Sequence, residues 1–352
     1  MNPSSPVLIG NRPVGAGHPP FVIAELSANH LGTLDRALEL VDVAAECGCD
    51  AVKLQTYRAD TITIDHDGPG FVLTEGPWRE RKLYDLYHEA HTPWEWHAPL
   101  FERARAHGLS VFSSPFDSTA VNLLESLAAP AYKIASFEIV DTPLIDRCAA
   151  TGKPLIISTG LASLADVERA VAAARRAGNG GVILLHCTSG YPTPASEANL
   201  ATMPALGQMF DVPAGLSDHT LGIAVPIAAT VLGAAVIEKH FTLRRDEGGP
   251  DAAFSLEPHE LKAMVAGVRD AFAAVGKVTF ERRPSEKAQA SVRRSLYVVN
   301  DIKQGERFTE VNVRSIRPGF GLPPRHLKAF LGRHASRDIA RGTPLAWNHL
   351  AD

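Results

Sequence analysis

Eight short apolar runs recur through the first three-quarters of the chain: "FVIAEL" (21–26), "AVKLQ" (51–55), "LSVFSSP" (109–115), "AYKIAS" (131–136), "PLIIST" (154–159), "VILLHC" (182–187), "PAGLSD" (213–218) and "AVIEKHF" (235–241). They are near-continuous rather than alternating, the pattern of strands covered on both faces in a parallel sheet. The segments between them carry helix signals. In Thr92-Pro93-Trp94-Glu95 the threonine can cap, the proline suits a first turn and the glutamate can close a capping box, and Ser163 with Asp166 repeats the device. Eight strand–helix units over about 250 residues have the number and size of an α/β TIM barrel, (β/α)8, in preference to an open doubly wound sheet.

Within the runs, polar residues gather toward the C-terminal ends: Glu25, Lys53, Gln55, Ser114, Lys133, Ser136, Ser158, Ser217, His219, Glu238 and His240 mostly fall there. Packing alone does not predict that asymmetry, whereas an active site on the C-terminal rim of a barrel does. Period-two alternation further sets Lys53 with Gln55, and Glu238 with His240, on one side of their strands. These runs bound a barrel domain over 21–276, preceded by a Pro- and Gly-rich N-terminal extension over 1–20. Residues 277–293 are polar and read as a linker, and 294–352 read as a small strand- and turn-rich domain whose core is marginal alone. In that domain "DIKQG" (301–305) and "DIARG" (338–342) form a weak internal repeat.

Composition narrows the function classes. The chain has 352 residues, 45% hydrophobic and 21% charged, with 35 basic against 39 acidic residues and a net charge of −4. No like-charge block marks a nucleic-acid or anionic-membrane surface. No run approaches the roughly 20 apolar residues of a membrane span, and the first residues lack a secretory pattern, so the expected location is cytoplasmic. Cys47, Cys49, Cys148 and Cys187 sit in apolar surroundings without zinc spacing and read as reduced core thiols.

His219 and His240 would end adjacent strands. Neutral imidazoles there could share a divalent metal and leave positions for water and substrate, although either alone is as well explained as a hydrogen-bonded scaffold residue. Lys53 and Lys133 would be buried ammonium groups needing an anion. Three partners are open: a structural pair with Glu25, Glu138 or Glu238; a phosphate or carboxylate ligand among the hydroxyls of Ser114, Ser136, Ser158 and Ser217; or a substrate carbonyl in a Schiff base. "RPGFGL" (317–322) offers Arg317 on a shaped loop, suited to a carboxylate or to solvent. Trp78, Tyr84, Tyr87, Trp94 and Trp96 crowd one connection, either as a wall for a sugar face or as ordinary helix packing.

In this order, "AELSANH", "KLQTY", "SSPFD", "YKIASFEI", "ISTG", "LHCTSGYPTP", "GLSDHT" and "EKHFT", followed by "RSIRPGFGL", resemble the sialic acid synthase family over about residues 20 to 350. The resemblance implies a phosphoenolpyruvate-condensing barrel joined to an antifreeze-like (β-clip) domain, assembled as a domain-swapped homodimer. "LYDLYHEAHTPWEWH", "SFEIVD", "LGIAVPIAA" and "GGPDAAFSLEP" look most like the pseudaminate-forming branch, with N-acetylneuraminate and legionaminate synthases as alternatives. By resemblance, His219 and His240 hold Mn2+, with Mg2+ or Co2+ as substitutes. Lys53, Ser114, Lys133, Ser136, Ser158, Ser189 and Ser217 bind phosphoenolpyruvate. Glu25 acts at the reacting carbons, and Gln55, Glu138, Tyr191, Asp251, Phe254 and Arg317 face the N-acetylated amino sugar. The chain departs from the family pattern at Leu31 in "NHLG", at Arg79 and Glu80, and at Ser189. A non-catalytic sugar- or ice-binding protein is the competing reading from another class.

Overall fold

The protein is described from a computed structural model covering residues 5–76 and 78–351. Strands β1 (Val7–Ile9) and β2 (Arg12–Val14) form an antiparallel hairpin. Strands β3 (Phe21–Glu25), β4 (Ala51–Thr56), β5 (Ser110–Pro115), β6 (Tyr132–Ile134), β7 (Leu155–Ser158), β8 (Val182–Cys187), β9 (Ala214–Asp218) and β10 (Val236–His240) close into a barrel. All neighbours are parallel and run in sequence order, with β10 returning to β3. The eight apolar runs are these eight strands, and the fold is a TIM barrel.

Helices cover the outside because their apolar stripes match the outward faces of the strands. Leu40, Val41 and Ala44 of the helix Leu34–Glu46 join Val22, Val52 and Phe101 in one continuous core. The helix Leu164–Ala177 starts at the expected Ser163/Asp166 capping box. The one expected at Thr92 starts differently. Thr92 is buried and makes no cap; Trp94–Trp96 is a single 3-10 turn and the regular helix runs His97–Ala106. Tertiary contacts outrank the local signal here: Arg58 stacks over Trp94 at 4.0 Å, and His97 Nε2 lies 2.8 Å from Thr56 Oγ1.

Inside the barrel a second apolar cluster fills the N-terminal end. Phe21, Ile23, Phe112, Ile156 and Ile183 meet Val7, Ile9 and Val14 of the hairpin. The stretch 7–14, inside the Pro- and Gly-rich leader, is therefore an ordered floor of the barrel. Arg12 reinforces it, pairing with Asp50 and lying over the Phe21 ring.

Lys277–Asp352 forms a separate compact unit from Met1–Gly276. Its polar lead-in contains two short 3-10 turns, Pro284–Glu286 and Ala288–Val292. Strands β11 (Ser295–Val298) and β12 (Val313–Ile316) pair antiparallel over a small core that includes Leu296, Phe308 and Phe330. The weak internal repeat has a structural meaning: Ile302 and Ile339 bond each other's backbones reciprocally, at 2.9 and 2.8 Å. Each repeat then turns at a glycine of positive φ, Gly305 and Gly342.

Candidate active site

The C-terminal ends of the strands carry the polar side chains, and the register fixes who meets whom. Glu25 of β3 lies between His240 of β10 and Lys53 of β4, and Gln55 of β4 pairs in register with Ser114 of β5. Gln55 donates to Glu25 Oε1 at 3.1 Å and to Ser27 Oγ at 3.1 Å. Ser27 in turn bonds the Asp251 carboxylate. Glu25, Lys53, Ser114, Lys133, Ser136, Ser158, Ser217, His219 and His240 are all buried.

The two lysines differ. Lys53 Nζ sits 2.7 Å from Glu25 Oε2 and 3.5 Å from Glu238 Oε1. Burial opposes its charge, but Glu238 and Glu25 outweigh burial and hold its pKa above the ordinary value. Lys133 Nζ donates to Ser158 Oγ at 2.7 Å and to Ile134 O at 3.1 Å, and its nearest carboxylate oxygen, Glu238 Oε1, is 3.8 Å away. Burial therefore wins there and lowers the pKa of Lys133. Of the three expected acidic partners, Glu25 and Glu238 pair with the lysines, whereas Glu138 does not. Burial raises the Glu138 carboxyl to about 7.

Hydroxyls ring Lys133. Ser217 donates to Glu238 at 2.9 Å, and Gly160 N–H donates to Ser136 Oγ at 3.2 Å. A Cβ at Gly160 would lie 2.2 Å from Ser189 Oγ and 2.7 Å from Ser136 Oγ, so both hydroxyls would have to turn aside. Ser189 Oγ, Glu138 Oε2 and Glu238 Oε2 are buried without hydrogen-bond partners. Unpaired buried polar atoms, one of them on the carboxylate nearest Lys133, are what a site for a polar ligand leaves when only protein atoms are counted.

The two imidazoles meet as the sequence suggests, with ring centroids 5.3 Å apart. His219 Nδ1 is 2.9 Å from the Thr188 carbonyl, which fixes that nitrogen as the donor and leaves Nε2 with its lone pair. His240 is buried with Nδ1 unpartnered, and burial, then His219, holds its pKa well below the ordinary value, so the ring is neutral. Burial opposes a charge on His219, but its contact with Cys187 outweighs burial and holds its pKa above the ordinary value; in their neutral forms the two imidazoles fit a divalent ion. Among the described residues no third His, Cys, Asp or Glu joins them as a metal cluster. Tyr191 and Phe254 close one side, 4.4 Å from His219 and 5.0 Å from His240.

The NeuB family model matches residues 40–280, and a SAF domain model matches 293–351. The chain belongs to the NeuB family. A pseudaminic acid synthase of Helicobacter pylori is 45% identical over 93% of this chain and 97% of the relative. One from Campylobacter jejuni is 43% identical over 92% and 95%. Among solved structures, the N-acetylneuraminic acid synthetase of Leptospira borgpetersenii, in complex with citrate, superposes with a TM-score of 0.73 at 31% identity, covering 82% of this chain and 96% of that one. The Bacillus subtilis spore coat polysaccharide biosynthesis protein spsE gives 0.67 at 34%, covering 99% of each.

In this NeuB-family chain Arg317 lies in the SAF unit, following β12. The aromatic segment divides: Trp78 is tilted against Tyr191 at 5.7 Å with its Nε1 donating to Pro250 O at 3.0 Å. Tyr87 packs on Tyr57 and Trp96 on His30, as helix packing requires. Sequence reasoning missed Ser27 and Gly160, and it gave Glu238 as one of three possible partners of the lysines. The "ISTG" run signalled Gly160, since a glycine at a strand end marks close backbone approach; nothing local signalled Ser27, whose partners are 28 and 224 residues away.

Proposed function

We propose that this chain condenses phosphoenolpyruvate with 2,4-diacetamido-2,4,6-trideoxy-β-L-altropyranose and water, giving pseudaminate and phosphate. The observation that carries the reading is Lys133: a buried ammonium whose hydrogen bonds, among the described residues, go to a hydroxyl and a carbonyl, with its nearest carboxylate oxygen at 3.8 Å. Relatives at 43–45% identity bear the name pseudaminic acid synthase, which selects the branch.

Lys133 and the hydroxyls of Ser136, Ser158, Ser189 and Ser217 hold the phosphate and carboxylate of the donor, with Lys53 and Ser114 bordering them. Gln55, Glu138, Tyr191, Asp251 and Phe254 orient the open-chain sugar so that its aldehyde faces carbon three of the donor. Carbon three forms the new bond to the aldehyde carbon as the C=O π pair moves onto oxygen, which takes a proton to become the product hydroxyl, leaving positive charge at carbon two. Glu25, anchored by Lys53 and Gln55, opposes that charge or guides the water that adds there; phosphate then departs by C–O cleavage. His219 and His240 would hold a divalent metal, Mn2+ first, which would supply Lewis-acid polarisation of the aldehyde oxygen. Arg317 completes the sugar site from a partner chain in a domain-swapped dimer, and the reaction is cytoplasmic. No helix among the described residues is long and apolar enough to cross a membrane.

Phosphate release from both substrates with Mn2+, abolished by chelator, tests the reading. A far better rate with N-acetylmannosamine removes the branch assignment and leaves the family chemistry. A Schiff-base aldolase would also want a lysine with a lowered pKa, as at Lys133. Borohydride reduction with pyruvate that leaves Lys133 unmodified separates the two.

A further inference from the structure

Behind the wall that carries the two imidazoles lies a charge pair that the proposed chemistry does not use. Strands β9 and β10 are in register so that Lys239 lies opposite Asp218, one residue before His240 and His219 respectively. Alternation turns Ser217 and Glu238 into the barrel and Asp218 and Lys239 away from it. There Lys239 Nζ bonds both Asp218 Oδ2 and the Thr220 carbonyl, with side-chain exposures of 0% and 2% for the two charged residues.

These contacts bracket His219. Asp218 Oδ1 accepts from Thr220 N–H at 3.1 Å and Oδ2 from Thr220 Oγ1 at 3.0 Å, so one carboxylate grips the residue beyond the histidine. The ammonium reaches the Asp218 carboxylate before the histidine and the Thr220 carbonyl after it. The His219 carbonyl accepts from Thr193 N–H at 3.0 Å, and its ring nitrogen faces Thr188 O. His240 follows Lys239 directly along β10. The only side-chain ion pair joining the two strands thus links the neighbours of both imidazoles, among the described residues.

A buried ion pair is a poor stability device, since apolar residues of the same size often do as well. Its specific product is geometry. We propose that Asp218 and Lys239 are positioning residues that set the spacing and orientation of His219 and His240 for a shared divalent cation. The inference rests on the reading of those histidines as metal ligands. Neither residue touches the substrates; both act through the imidazoles.

The test uses the full-length apoprotein and three readouts: Mn2+ affinity by calorimetry, phosphoenolpyruvate affinity without metal, and thermal midpoint. D218N/K239M removes both charges together, so no uncompensated ion is left buried. Mn2+ binding weakens by about 10- to 100-fold, the usual loss when support behind a metal ligand is removed, while phosphoenolpyruvate affinity stays within twofold. The visible spectrum of the Co2+ form changes with it. A merely structural role would instead lower the midpoint and weaken both ligands together. Thr220→Val, which removes only the hydroxyl arm, gives a smaller loss of Mn2+ affinity and keeps the test alive should the double variant not fold. Unchanged Mn2+ affinity in either folded variant overturns the proposal alone. Unchanged Mn2+ affinity in His219→Ala overturns the ligand reading and this inference with it.

Discussion

Replacing each buried lysine by methionine, a near-isostere, separates two functions that look alike in sequence. At neutral pH Lys53 contributes stability, because its folded pKa is raised; the contribution is fully present below the unfolded value and is lost as pH rises through the folded one. Lys133 has the opposite sign: its folded pKa is lowered, so carrying the charge at neutral pH costs stability. Lys53→Met strips Glu25 of a partner at 2.7 Å and leaves its carboxylate in a fully buried place. Breaking one side of such a pair costs about 3–5 kcal/mol, or roughly 5–10 °C in melting midpoint. Lys133→Met gives up a group bonded to Ser158 and a carbonyl and relieves its desolvation, while Glu238 keeps Lys53 and Ser217. Its midpoint stays within about 2 °C of the parent, since these changes oppose one another. What it loses is the donor: one charge-assisted hydrogen bond to an anion is worth about 1.5–3 kcal/mol, or roughly 10- to 150-fold in phosphoenolpyruvate affinity. Differential scanning calorimetry with isothermal titration of phosphoenolpyruvate reads both quantities. The reasoning is refuted if Lys133→Met melts as early as Lys53→Met while binding phosphoenolpyruvate normally.

Three further outcomes follow from the same geometry. The folded Glu138 carboxyl titrates at about 7 against a model-peptide 4.5, so the fold binds the extra proton between those values and loses stability as pH rises through that window; Glu138→Gln flattens this fall in melts run from pH 5 to 8. Gly160→Ala drives a methyl into Ser189 and Ser136 and raises the KM for phosphoenolpyruvate by roughly 10-fold or more, the cost of one displaced charge-assisted bond, with the KM for sugar much less affected. Trp78→Leu removes an aromatic contact with Tyr191 and the tie to Pro250, raising the sugar KM roughly 2- to 10-fold, and an unchanged value shows the indole to be outside the sugar site.

The barrel was legible because two-sided burial writes each parallel strand as an apolar run, and the rim was legible because polar residues such as Glu25, Gln55, Ser158, His219 and His240 gather toward the C-terminal ends of those runs. Partnership was not. Which acid meets which lysine depends on register between β3, β4 and β10, and only the closed sheet sets Glu25 between His240 and Lys53. The hairpin at 7–14 stayed hidden because Pro and Gly dominate its surroundings, and its apolar residues make sense only against the barrel interior. The clasp over His219 did leave a trace: an acid precedes one histidine and a base the other. Such a dipeptide pattern carries no weight until the strands are known to be neighbours.

The β1–β2 hairpin has a kinetic consequence. With Val7, Ile9 and Val14 packed against Phe21, Phe112 and Ile183, apolar side chains plug the N-terminal end of the barrel. Donor and acceptor then share the opposite rim as their route, so each obstructs the other's exit. An unreactive acceptor analogue should therefore slow the escape of bound donor.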